Sequence, residues 1–379
     1  MRIQPFRVLQ TAGTCLLLLC VAAGPVRAQN AVAGRPAPES RQPTFLTGGD
    51  VTFLAREGQL GAVYRDGGKP IPALDIFRAH GWNLLRLRIW VHPSGEGEGV
   101  NDLPYTVAFG RRIKASGFKL LLDFHYSDTW ADPGHQTKPA AWQDLPFPAL
   151  EKQVETYSRD VIAAMRLGGA MPDIVAVGNE TTNGMLWPDG KLDSPEGWER
   201  YGALMKAGVR GVREGAGSAP APQIMVHIDR GGAPGLAVWF FDNLARHAPD
   251  LNFDVIGLSY YPDGKNTLAD LRTNLGILAK RYRRPILIAE TAFPHAGAAG
   301  PNQPVYAEYG LTPDGQRRYL GDLVALVRAV PDGLGRGVLY WEPEWLAVPG
   351  LPQYWGENPL FDKGFNALPG VAALDARER

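Results

Sequence analysis

Asp173-Ile-Val-Ala-Val-Gly-Asn-Glu180 and Pro285-Ile-Leu-Ile-Ala-Glu290 are two short apolar, β-branched runs, each closing on a glutamate. A strand covered on both faces reads as such a run, because neither face meets water. In a barrel of parallel strands, the side chains that carry chemistry project from the C-terminal strand ends. Both glutamates sit at that position.

On either side of these two runs, strand-like stretches recur, giving 45–54, 82–90, 118–126, 173–180, 223–229, 254–261, 286–290 and 337–342 in all. Amphipathic helical patterns fall between them, for example at 71–80, 147–165, 198–212, 268–282 and 313–330. Strand and helix alternating eight times predict an α/β fold, a single (β/α)8 barrel over residues 44–379. A doubly wound open sheet is the competing fold, and it expects a Gly-rich phosphate loop after the first strand. No such loop is present.

The chain begins with Arg2 and Arg7, runs through Cys15-Leu-Leu-Leu-Leu-Cys20, and reaches Val26-Arg27-Ala28. This is the pattern of a signal peptide over residues 1–28, with an apolar core too short to span a bilayer. Export, secreted or periplasmic, is expected, with no membrane association after cleavage. Both cysteines fall in that segment, so the remaining chain has neither disulfide nor thiol chemistry and relies on a large core. The segment also carries three of the 39 basic residues and no acid, which leaves 36 basic against 39 acidic. So balanced a surface gives no support for nucleic-acid binding, and nothing requires more than a monomer. Residues 29–43 are rich in Ala, Pro and Gly without any period and are expected to form a flexible lead-in.

The chemistry is read from the strand ends. Asn179-Glu180 alone reads equally well as a helix cap followed by an acid favoured by the helix dipole. What distinguishes it is its company: Asp50, Arg86, Arg88, His125, His227, Asp229, Tyr260 and Trp341 also lie at or near strand ends. Polar and aromatic groups from so many strands, converging on one rim, are hard to explain as surface decoration. An unpaired buried charge costs several kcal/mol. Two carboxylates flanking one bond are the minimal equipment for glycoside hydrolysis. The sequence holds no His-Glu-x-x-His, no P-loop and no Gly-x-Ser-x-Gly elbow. A metal cluster of His125, His227 and Asp229 is the minor alternative; no metal or cofactor is expected.

Tryptophans at 90, 130, 142, 187, 341, 345 and 355 fall mostly in loops after strands. Sugars present flat C–H faces and a rim of hydroxyls, so aromatic faces beside Asp128 and Asn179 would suit them. Trp90, Trp130, Trp341 and Trp345 are the candidates, with Trp130 and Trp345 expected as exposed rim rings.

The string His125-Tyr-Ser-Asp-Thr-Trp-Ala-Asp-Pro-Gly134, followed by Gln136 and Lys138-Pro-Ala-Ala-Trp142, resembles the third-strand region of glycoside hydrolase family 53, the endo-β-1,4-galactanases. Similar to that family too are Arg86-Leu-Arg-Ile-Trp-Val91, Gly178-Asn-Glu180 with Asn183-Gly-Met-Leu-Trp-Pro188, Gly257-Leu-Ser-Tyr-Tyr-Pro262, Gly315-Gln316 and Tyr340-Trp-Glu-Pro343. The resemblance runs from about residue 48 to residue 368. It implies a retaining (β/α)8 hydrolase acting on β-1,4-galactan, the galactan side chains of pectin. It further implies Glu180 as general acid/base, Glu290 as nucleophile and Asn179 as the ligand of the sugar 2-hydroxyl. A second-strand arginine, with Arg88 favoured over Arg86, and Tyr260 would orient the nucleophile. A clan-related mannanase or glucanase and a non-catalytic carbohydrate-binding barrel are the alternatives.

Two stretches depart from the family pattern. Asp263-Gly-Lys-Asn266 stands where relatives often carry aromatics, so a stacking surface is expected to be missing there. The loop Phe293-Pro-His-Ala-Gly-Ala-Ala-Gly-Pro-Asn-Gln303 contains no carboxylate, so the calcium site of bacterial relatives is not expected. Retention sets the geometry: the two carboxyl groups are expected about 5–5.5 Å apart.

Overall fold

The computed structural model describes residues 44–262, 266–298 and 304–377. The expected leader (1–28), the lead-in (29–43) and parts of the two departing loops (263–265 and 299–303) lie outside the described residues. Eight strands close into a parallel barrel: β1 (Leu46–Asp50), β2 (Leu84–Ile89), β3 (Lys119–Phe124), β4 (Ile174–Val177), β5 (Gln223–Ile228), β6 (Val255–Ser259), β7 (Ile286–Glu290) and β8 (Gly335–Trp341). Each pairs with its sequence neighbours, and β8 pairs with β1 to close the ring.

Helices α1 (Leu54–Gln59), α2 (Ala73–Ala79), α3 (Leu103–Ala115), α4 (Phe147–Leu167), α5 (Pro195–Ala216), α6 (Pro234–His247), α7 (Leu268–Tyr282), α8 (Pro304–Tyr309) and α9 (Pro313–Arg328) fill the crossovers. Their starts are legible locally. Asp102, Ser194, Thr267 and Thr312 each accept a backbone N–H three residues on, the N-cap chemistry that satisfies an orphan donor of the first turn.

Alternation along the strands divides the core in two. Leu46, Leu84, Leu121, Ile174, Met225, Val255, Leu287 and Leu339 fill the barrel interior, while Leu85, Leu87, Ile89 and their counterparts pack outward under the helices. Gly48 is required by the closure of β1 on β2, since a Cβ there would stand 1.6 Å from the Leu84 carbonyl oxygen. Above the apolar floor the inward positions become charged, with Arg86, Arg88 and Asp123 all buried. That change marks the end of the barrel at which the site is built.

Apart from β7, the strands are shorter at their C-terminal ends than the sequence patterns. β4 stops at Val177 and β6 at Ser259, so Asn179, Glu180, Tyr260 and Tyr261 lie beyond the ladder. Glu180 takes the left-handed conformation (φ 45°, ψ 50°), which is uncommon for a residue with a side chain. The β6–β7 register shifts between Leu258 and Ser259, so that Ser259 rather than Tyr260 stands opposite Glu290.

Candidate active site

Arg86 organises the floor of the site. Its guanidinium donates to Glu290 Oε1 (2.5 Å), Asp123 Oδ2 (2.5 Å) and Asn179 Oδ1 (2.8 Å), and its Nε lies 3.3 Å from Asp50 Oδ2. One buried cation thus faces three carboxylates, and their attraction outweighs burial to hold it firmly protonated. The other oxygen of Glu290 accepts the Tyr261 hydroxyl at 2.8 Å. With a donor on each oxygen, Glu290 is fixed in position as an acceptor.

Glu180 is placed differently. Burial pushes its carboxyl well above the ordinary range, and the charge of nearby Glu290 pushes in the same direction, opposed by Ser259 and Arg86. One oxygen of Glu180 lies within 4.8 Å of one oxygen of Glu290. Two carboxyl groups this close, one held by a cation and a phenol and the other kept protonated by burial and like charge, form an acid paired with a fixed base.

Around them the polar groups have defined orientations. His125 Nδ1 accepts from Trp90 Nε1 (3.2 Å) and from the Ala131 backbone N–H (3.0 Å), which places the ring proton on Nε2. Burial drives its pKa down to about 3 despite the pull of Asp123, so the ring is neutral and Nε2–H is a buried donor with no protein acceptor. Asp123 itself is drawn down to about 2 although burial alone would raise it, because Arg86 and His227 stabilise its charge. Asn179 spends its oxygen on Arg86 and one N–H on the Ala131 carbonyl (2.7 Å), leaving its second N–H. His227 stands behind the pair, its Nε2 2.9 Å from Ser259 Oγ and its Nδ1 3.7 Å from Asp123.

A cavity of about 530 Å³ opens onto these groups. It is lined by Glu180, Glu290, Asn179, His125, Arg88, Trp130 and Trp341 among the residues singled out from the sequence. Ala131, Asp132, Tyr261, Ala292, Tyr306, Trp355 and Asn358 complete it. Arg86 and Asp50 lie beneath the cavity as supports.

Several placements correct the sequence reading. The arginine that bonds Glu290 is Arg86; Arg88, the favoured one, turns instead to Asp50 (2.8 Å) and Glu342. The phenol on Glu290 belongs to Tyr261, whereas the Tyr260 hydroxyl donates to the Asn266 carbonyl at 3.1 Å. Trp345 is no exposed rim ring: it is 3 % exposed and packs on Phe53 and Leu351. Trp90 is equally buried and serves through its N–H to His125. Asp128 accepts the backbone N–H groups of His92 and Ala140 and so ties two loops together, while Asp229 holds Thr182 and Arg230; neither lines the cavity.

The sequence reading missed Asp123, Ser259, Tyr261, Tyr306 and Asn358. Asp123 carried a signal, being an acid two positions before His125 on the same strand face; Ser259 closes β6 at its register shift, and Tyr261, Tyr306 and Asn358 lie past strand ends, where alternation no longer predicts direction.

The minor metal alternative does not assemble as His125, His227 and Asp229. Among the described residues, the group whose ligand atoms come together is Glu180, His227 and Glu290. Both oxygens of Glu290 are already engaged, one by a cation. A buried guanidinium at 2.5 Å opposes a second positive charge at that spot.

The family model for Glycosyl hydrolase family 53 matches residues 46–374. A Niallia circulans chain described as an uncharacterized protein in the bgaB 5' region is 40% identical over 355 residues, covering 89% of this chain and 95% of its own length. A probable arabinogalactan endo-β-1,4-galactanase A of Aspergillus terreus is 38% identical, covering 83% and 90% respectively. A solved structure of fungal β-1,4-galactanases superposes with a TM-score of 0.78 at 30% identity, covering 87% of this chain and 99% of that one.

Proposed function

We propose that this chain, which belongs to Glycosyl hydrolase family 53, is an endo-acting, retaining β-1,4-galactanase that cleaves the galactan of arabinogalactan and pectin side chains. The observation that carries the reading is the pair itself. Glu180 and Glu290 bring oxygens within 4.8 Å of each other at the cavity, close to the ~5–5.5 Å spacing of retaining pairs and short of the ~6.5–9.5 Å that an inverting enzyme needs to admit water.

In the first step Glu290, aligned by Arg86 and Tyr261, attacks the anomeric carbon while Glu180 gives its proton to the departing glycosidic oxygen. A covalent glycosyl-enzyme results. Its formation removes the charge on Glu290, one of the influences that raise Glu180, so Glu180 can then take a proton from the incoming water. The neutral His125 Nε2–H and the remaining Asn179 N–H are donors for sugar hydroxyls, and the half-buried faces of Trp130 and Trp341 offer stacking surface.

The enzyme acts on a polysaccharide, needs no cofactor for this chemistry, and works as an exported monomer. The leader-like sequence at 1–28 and the balanced charge support those parts of the reading. Among the described residues no helix is long and apolar enough to cross a membrane. Reducing-sugar release from linear β-1,4-galactan, mannan and cellulose, measured side by side, tests the assignment. Galactan is expected to be cleaved in preference. Preferred cleavage of mannan or cellulose would replace the substrate, and no cleavage of any of them would leave a binding barrel.

A further inference from the structure

Arg88 and Arg86 lie two residues apart on β2 and face the same way, yet they serve different neighbours. The Arg88 guanidinium carbon stands 4.6 Å from the ring centre of Trp130, 5.0 Å from Phe53 and 5.7 Å from Trp341. Two of these rings, Trp130 and Trp341, line the cavity. They also touch each other, with centroids 5.9 Å apart, and each leans on Trp345. Arg88 is only 1 % exposed, and its three guanidinium nitrogens are all shielded from solvent, so sugar hydroxyls do not reach them. Two carboxylates hold the cation: Asp50 Oδ1 at 2.8 Å, and Glu342.

Neutralising Asp50 and Glu342 would require only a positive charge. Enclosure by three rings calls for more, because a planar, weakly hydrated guanidinium stacks on aromatic faces and an ammonium does not replace it. Asp50 adds a connection. Its second oxygen lies 3.3 Å from Arg86 Nε, and Arg86 holds the nucleophile.

We infer that Arg88 is a positioning residue for substrate binding: a cation seated beneath the aromatic wall that sets the angle of Trp130 and Trp341 for sugar stacking and ties that wall, through Asp50, to the support of Glu290. Its shielded guanidinium touches neither the reacting atoms nor the sugar hydroxyls. The inference rests on the hydrolase reading above.

The experiment compares Arg88→Lys and Arg88→Met with the wild type on whichever of the three polysaccharides the wild type cleaves, so failure of the galactan assignment is seen first and separately. KM and kcat are measured. Affinity for an oligosaccharide of the cleaved polymer is then measured by calorimetry in a Glu290→Gln background, where turnover is blocked. Both Arg88 variants are expected to raise KM and the dissociation constant by about tenfold or more, the scale of one or two lost stacking contacts, with kcat changed by less than about threefold. A lysine variant with wild-type KM would show that charge alone suffices and would overturn the inference. So would a fall in kcat at unchanged KM, which would place Arg88 with the nucleophile. If Arg88→Met does not fold, Arg88→Met/Glu342→Gln removes the unpaired acid as well, and the lysine variant still decides.

Discussion

At the residue scale, the division of labour proposed for Glu180 and Glu290 follows from what each carboxyl touches. Glu290 accepts from a buried guanidinium and a phenol; Glu180 is raised by burial and by Glu290 itself. In Glu180→Ala the proposed nucleophile, Glu290, remains, so an aryl galactobioside with a good leaving group should still form the covalent intermediate. Azide needs no base and should then release the β-azide after two inversions. In Glu290→Ala, azide entering the vacated space should attack once and give the α-azide. Anomer assignment by NMR checks both, and the reverse pattern would exchange the two roles. The Glu290→Gln variant makes a second test. With the charge of Glu290 gone, the titration of Glu180, followed by carboxyl ¹³C shifts, should move down toward the ordinary glutamate range. The glutamates were legible in the sequence because each ends a clean β-branched run. Their supports were not. Arg86 and Arg88 share a face about 6.6–6.8 Å apart along the strand, and choosing between them requires knowing how deep β7 sets Glu290. Tyr260 and Tyr261 follow a register shift, which is where the alternation that tells inside from outside is lost.

At the scale of elements, the loops after β1, β3 and β8 pack together as one aromatic body. Trp345 bridges Phe53 (5.0 Å between centroids) and Trp130 (6.5 Å), and Trp341 meets Trp355 at 4.4 Å. A loop tryptophan reads the same in sequence whether its ring faces solvent or a neighbouring loop, which is why Trp345 was expected at the rim. Trp345→Ala should therefore cost about 3–5 kcal/mol of stability by opening a cavity, measured by denaturant unfolding. Trp130→Ala should leave stability much nearer wild type and weaken polysaccharide turnover. Equal stability loss in both would mean that Trp130 too is chiefly a packing residue. The β8 loop also shares an acidic group with α1: Glu57 on the helix and Glu342 and Glu344 on the loop are fully buried. Burial raises Glu57 to about 8 and lifts Glu344 well above the ordinary range. The folded protein therefore keeps protons that the unfolded chain releases above about 4.5. This contribution to stability is complete below that pH and is lost as pH rises through about 8. Glu344→Gln should shrink the fall in melting temperature between pH 5 and pH 8.5 while changing little at pH 5. An unchanged fall would show that Glu344 does not titrate in that window.

At the scale of the whole molecule, the barrel was legible because its strands, buried on both faces, alternate with amphipathic helices eight times, and the ring closes in that order. Closure gathers residues that sequence scatters: Asp50, Arg86, Asp123, Glu180 and Glu290 come from five different strands or strand ends and meet around one cation. The barrel explains why so many strand ends were polar, since one rim receives them all. So assembled, the rim is equipped to hydrolyse β-1,4-galactan by double displacement. That chemistry is tested most directly by ¹H NMR of linear β-1,4-galactan during the first minutes of digestion, before mutarotation mixes the anomers. Double displacement predicts that the new reducing ends appear as the β-anomer and only later relax toward the α/β equilibrium. New ends that appear first as the α-anomer would contradict it.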